Sequence, residues 1–371
     1  MSAVVAVLLL VSCGGYKSPT TQTTATSLIK NRVLVTNGFG SVIRILDGDK
    51  DAISITQITT GSNPQLMLGI PGQIVVTFDA GDNGLSLIDP VKEEQVTRVG
   101  LPGASDSIAL SPDGKFAYAA IRNAGAVAVV DIINRTVTSI SGIPAARRLV
   151  LSKTGAKLLV FSDDSDAITV INTSDKTFKT ATGFDRAYSG VFADDSKAYI
   201  LSCGAECGGI ASTGTVSAFD IANSVITGSV SVGGATVGLL DGANLYVAGS
   251  NFGAGTVDTL SASALTVTKS VAIADGLHSK MAITTGKLFV GSSNCTQTAT
   301  AGCLSILDVA AQTAKIGPAQ GSVSAILPVK NRTVVYTIEG GNLRIYDIAS
   351  GNLQAKQLDL QGALTDMIGI D

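Results

Sequence analysis

Short apolar runs punctuate the chain, each closed by a turn-forming residue. Leu158 to Phe161, Ile168 to Ile171 and Leu245 to Ala248 are aliphatic-rich and bounded by Gly, Asp, Asn or Ser. Runs of this length and flanking predict strands rather than helix faces. The clearest unit is Ser111-Pro112-Asp113-Gly114-Lys115-Phe116-Ala117-Tyr118 followed by Val127-Ala128-Val129-Val130-Asp131-Ile132, a turn, strand, turn, strand order. Strands ending in a polar residue recur as VIRILD to Asp47, LSLID to Asp89, VAVVD to Asp131, ITVIN to Asn172, VSAFD to Asp220, LSILD to Asp308 and LRIYD to Asp347. A degenerate copy runs from Val257 to Ser261. The mean spacing between Asp47 and Asp347 is about 43 residues, the period of four-stranded propeller blades, and helical solenoids are excluded.

These units predict an all-β fold, a β-propeller of four-stranded blades over residues 31–371. No single strand buries its own face, so four form a twisted sheet and the sheets pack around an axis. Gly69, Ala109, Gly190 and Gly238 fall on innermost strands and suit the crowded centre. Aromatic residues make up 5% of the chain with no Trp, so Val, Leu and Ile are expected to fill the contacts between blades. Each such side chain contributes about 1.5 to 3 kcal/mol when fully buried. Arg32 to Thr36 matches the second strand of the repeat and Thr365 to Ile370 the first. The two ends are therefore expected to pair within one blade, closing the ring and removing a free edge. Counted this way there are eight blades, with seven as the alternative.

Leu34-Val35-Thr36-Asn37, the SPDGK turn at Ser111 to Lys115 and the VxVxD strand ends resemble the YVTN family of β-propeller repeats over nearly all of Arg32 to Asp371. The resemblance implies the architecture, which in that family is commonly seven-bladed. It leaves activity open, because such propellers occur in bacterial surface proteins, in S-layer-like proteins and, more distantly, in sugar lactonases.

The N-terminus reads as an address. Val4 to Val11 is an uncharged apolar run, too short for the roughly 20 residues that span a bilayer, and fits the hydrophobic region of an export signal. Met1 to Ala3 carry no Lys or Arg, where export signals ordinarily open with positive charge. Leu10-Val11-Ser12-Cys13 resembles the bacterial lipobox, which implies cleavage before Cys13 and a lipid on that cysteine. Residues 1–13 are thus expected to be a lipoprotein signal peptide and residues 14–30, rich in Thr, Ser and Gly, a flexible tether. Gly14, where lipoproteins retained at the inner membrane tend to carry Asp, favours the outer membrane or cell surface.

Composition narrows the chemistry. With 26 basic and 29 acidic residues the formal charge is −3, which argues against a nucleic-acid partner. One histidine in the chain removes imidazole-rich metal and haem centres. Four cysteines beyond Cys13 form two local pairs, Cys203 with Cys207 and Cys295 with Cys303, and an export signal makes disulfides the expected state. The rival is a single four-thiolate metal site, although such sites favour CxxC knuckles. No CxxCH is present, so covalent haem is excluded. DGDKD at Asp47 to Asp51 lacks the glycine and distal glutamate of a calcium loop and reads as a turn, as does SDDSD at Ser162 to Asp166. Neither a metal nor a cofactor is expected.

Aligning the units on their turn glycine places Pro64, Asp106, Arg147, Tyr188, Gly234, His278 and Val323 eight residues upstream, at the start of the innermost strand. Two readings of Asp106, Arg147, Tyr188 and His278 stay open: a polar ligand patch at the channel mouth, rimmed by the two cysteine loops, or solvated loop ends with His278 an isolated surface residue. The leading functional expectation is an envelope-anchored binding or scaffold module, engaging an envelope protein or polysaccharide and held to the membrane through Cys13. The alternative is a lactonase-like or dehydrogenase-like periplasmic enzyme with its site at the same mouth.

Overall fold

The computed structural model describes residues 26–162 and 164–371. The expected signal segment, Cys13, most of the tether, and Asp163 of the SDDSD turn lie outside the described residues. Eight antiparallel sheets follow one another around a ring, seven of four strands and one of three. The innermost strands are Leu364–Gly369 (blade 1), Pro64–Ile70 (blade 2), Ile108–Leu110 (blade 3), Arg148–Leu151 (blade 4), Ala187–Phe192 (blade 5), Val237–Asp241 (blade 6), Leu277–Thr284 (blade 7) and Val323–Pro328 (blade 8). Each touches the next, and blade 8 touches blade 1, so the eight strands enclose an axial channel.

The ends close the ring as expected. Arg32–Asn37, Val42–Asp47 and Ala52–Thr59 supply the outer three strands of blade 1, and Leu364–Gly369 pairs antiparallel with Arg32–Asn37. Among the described residues blade 8 has no fourth strand. Residues 348–363 wrap its open side instead, bridging Tyr346 to Leu353 and Leu343 to Leu358.

The recurrent strand-end aspartate has a local cause. Asp89, Asp131, Asp220, Asp308 and Asp347 each accept the backbone N–H three residues on, at 2.8–3.0 Å, which nucleates the turn that follows the third strand. The core departs from expectation in one respect. Although aromatics are scarce, seven blades bury one from the second strand: Phe78, Tyr118, Phe161, Tyr199, Tyr246, Phe289 and Tyr336. Aliphatic side chains pack around these rings between neighbouring blades.

The glycines of the innermost strands mark close approach. A Cβ on Gly190 would stand 2.9 Å from Phe161 Cζ and 3.0 Å from the Tyr199 carbonyl, and one on Gly238 would stand 2.9 Å from Leu201 Cδ1. At the rim, several fourth strands are uncharged or nearly so, which ordinarily invites edge pairing. Register shifts opposite Leu46, Ile88, Phe219 and Leu260 bulge four of these strands and break the flat edge.

Candidate functional site

Six of the blades contribute to a cavity of about 310 Å³ in the channel. Its lining includes Leu66, Asp106, Ile108, Arg148, Val150, Ser189, Lys280 and Asp366. Asp106 and Arg147, on adjacent blades, form an ion pair of 3.2 Å at its mouth. Arg148 lies over the Tyr188 ring, 3.5 Å from the centroid, a cation–π arrangement that holds the guanidinium in place. Of the four residues expected here from sequence, the structure brings Asp106 and Arg147 together and sets Tyr188, 4% exposed, beneath Arg148.

His278 is elsewhere. It is 1% exposed, its Nε2 lies 2.9 Å from the Ala274 carbonyl, and its Nδ1 has no hydrogen-bond partner among the described residues. Burial pushes its pKa down to about 4, against smaller opposing effects of the Ala274 carbonyl and Asp275. The expectation that its side chain faces the mouth is corrected, and the reason is a register shift between His278 and Lys280. An extra residue in the strand turns every later side chain to the other face. Lys280, not His278, therefore lines the cavity.

Sequence reasoning missed Arg148, Lys280, Ser189 and Asp366. Asp366 sits where the ring closes, accepting N–H bonds of 2.9 Å from Met67 on the next blade and from Met367. Burial raises its pKa, and Lys280 and the two N–H groups oppose the rise. Ser189 Oγ donates to the Thr236 carbonyl at 2.8 Å. The alternation of Leu66, Leu68, Ile108 and Val150 with these groups gives a charged mouth over apolar walls.

Both cysteine loops emerge on the face where the innermost strands begin. Disulfides join Cys203 to Cys207 and Cys295 to Cys303. An aspartate ties down each loop. Asp185 accepts from Ile210 N and Ala211 N at 3.0 and 2.6 Å, and Asp275 from Thr296 N at 2.7 Å. Among the described residues no three His, Cys, Asp or Glu side chains are grouped as a metal site.

The fold defines a β-propeller, and comparison with known proteins agrees. Residues 74–187 match the family model "Lactonase, 7-bladed beta-propeller". No curated protein matches the chain in sequence. Among solved structures, the dihydro-heme d1 dehydrogenase NirN in complex with DHE superposes with a TM-score of 0.72 at 12% identity, over 95% of this chain and 79% of that one. The computationally designed Ika8 protein gives 0.63 at 14%, over 88% and 96%. Kuenenia stuttgartiensis hydrazine synthase gives 0.53 at 15%, over 90% and 99%. At these identities the likeness is one of fold.

Proposed function

We propose that the protein is a binding propeller of the bacterial cell envelope, exported and lipid-anchored at Cys13, whose ligand engages the charged mouth of the axial channel. The observation that carries this reading is the convergence of Asp106, Arg148, Lys280 and Asp366 from four blades on one cavity with apolar walls, with Arg147 paired to Asp106. Charged pairs on rigid strands orient a polar ligand, and a cavity of about 310 Å³ suits a small one. Two disulfides accord with an oxidising compartment. The serine on the cavity wall donates to a backbone carbonyl and the histidine is buried in its own blade, so the two make no nucleophile and base.

The alternative, a lactonase-like or dehydrogenase-like enzyme, is favoured by the lactonase family match over a segment that contains Asp106 and Arg147. A panel of small carboxylates, sugar acids, lactones and quinones separates the two. Binding reads as a thermal shift that Arg147→Ala and Lys280→Ala abolish, without consumption of the compound. Turnover of a lactone or quinone that depends on those residues would overturn the binding reading. For the anchor, a palmitate analogue is expected to label the wild-type chain and not Cys13→Ser, and equal labelling would reject it.

A further inference from the structure

Deeper in the channel than its mouth, one charged side chain breaks a row of uncharged ones. Counted back from the turn residue that follows each innermost strand, Asp106 and Arg147 stand eight residues before it. Six residues before it stand Leu66, Ile108 and Leu149 in blades 2 to 4, and Gly190, Thr236 and Ala325 in blades 5, 6 and 8. Blade 7 places Lys280 there. The register shifts of blades 2, 5, 7 and 8 all lie before this position, on the mouth side, so the count holds along the strands. Leu66, Ile108, Leu149 and Lys280 all line the cavity, and Leu68 and Val150 continue its apolar wall.

Nothing in the fold uses this lysine. Lys280 is part-buried, and among the described residues it makes no hydrogen bond and no ion pair. The carboxylate that shares the cavity from blade 1, Asp366, accepts the Met67 and Met367 N–H groups at 2.9 Å. Asp106, at the mouth, pairs with Arg147. The serines of the wall are engaged with the neighbouring blade: Ser107 Oγ accepts the Leu149 N–H at 3.1 Å, and Ser189 Oγ donates to the Thr236 carbonyl at 2.8 Å. An ammonium among leucine, isoleucine and valine side chains gives up part of its hydration, and without a partner that is a net cost. A charge kept against that cost points to a counter-ion from outside the chain.

We infer that the ligand of the channel is a small monocarboxylate with an apolar body, its carboxylate on Lys280 Nζ and its body against Leu66, Leu68, Ile108 and Val150. One ammonium balances one negative charge, and a charge-assisted hydrogen bond to it is among the strong ones. The wall around it offers hydrophobic contact, and the cavity of about 310 Å³ sets the size. A sugar acid fits less well, because its hydroxyls would face apolar side chains and serines already bonded to backbone. The inference rests on the reading of the channel as the binding site and narrows it to one ligand class.

The test titrates the full chain calorimetrically with probes matched in shape: hexanoate against hexanamide and hexylamine, and phenylacetate against phenylacetamide. The carboxylates are expected to bind about tenfold tighter than the amides or more, with hexylamine weaker still. Affinity should rise about fourfold for each CH2 added from butyrate to hexanoate. Lys280→Met should remove the preference for carboxylate and leave amide affinity as it is, and Lys280→Arg should retain the preference. If Lys280→Met does not fold, the comparison of carboxylate with amide on the wild-type chain decides. Amides or hexylamine binding as tightly as the carboxylates, a preference that survives Lys280→Met, or affinity indifferent to chain length would overturn the inference and leave the channel reading standing. Silence of every probe would also overturn it, and the channel reading falls with it only if sugar acids, lactones and quinones are not bound either.

Discussion

At the scale of single residues, burial sets two pKa values in opposite directions, and the signs give opposite pH dependences. His278 is buried neutral with its pKa lowered to about 4, so its contribution to stability is complete above the unfolded value near 6.5. It is lost as pH falls through about 4, on the order of 3 kcal/mol at most. Replacement by Gln should flatten the acid limb of stability between pH 6.5 and 4, measured by urea midpoint, and an unchanged limb would count against the burial. Glu206 is the converse case. Burial raises its carboxyl to about 7 despite the Ser250 N–H, so its favourable contribution holds below about 4.5 and fades as pH rises through 7. Glu206→Gln keeps an acceptor for Ser250 and should raise the melting temperature more at pH 8 than at pH 5. A larger gain at pH 5 would show that the carboxylate is stabilised there. Asp106 and Arg147 are legible in the sequence because their strands begin without a register shift. The sequence misplaces His278 because a one-residue bulge has no signature in composition.

At the scale of elements, the strands are readable because short aliphatic runs between turn residues admit few other structures, and the terminal Asp of each third strand is a local device. The aromatic of the second strand is not, since a residue type at 5% of the chain gives a weak periodic signal even when blades bury it one apiece. The small residues at the axis are legible in the repeat, and they make a sharp prediction. On the innermost strand of blade 5, the space for a Cβ on Gly190 is bounded by the Phe161 ring and a backbone carbonyl that cannot yield. Gly190→Val should cost about 1 to 3 kcal/mol by overpacking, seen as a lower urea midpoint with an unchanged slope. A neutral result would mean that blades 4 and 5 are free to separate there. Gly242 is the contrasting case: a Cβ there would meet nothing within 4 Å, but φ is +55°, so the backbone alone limits the position.

At the scale of the whole molecule, the blade count rests on closure rather than on the period. A repeat of about 43 residues accommodates seven or eight wedges, and the lactonase family match, confined to residues 74–187, covers too few blades to fix the number. What fixes it is the seam. Arg32 donates from its backbone N–H to Asp371 Oδ2 and from Nη2 to Asp371 Oδ1, both at 2.6 Å, while Nη1 reaches Glu93 on blade 2 at 3.2 Å. Burial alone would raise the Asp371 carboxyl, but the Arg32 hydrogen bonds outweigh it and hold the pKa below the usual range. This contribution is present above about pH 4 and is lost as pH falls through the lowered value. Arg32→Met removes the cation that bridges Asp371 and Glu93, leaving only Lys330 near Asp371, and should cost about 1.5 to 3 kcal/mol. If the ring is one cooperative unit, that loss moves the entire unfolding transition to lower urea in a single step, with probes on blades 1 and 5 still coincident. If the blades unfold independently, only the blade 1 probe moves. The closed seam therefore predicts coincident transitions, and a split between the two probes would show that the terminal strand is not what holds the eight wedges together.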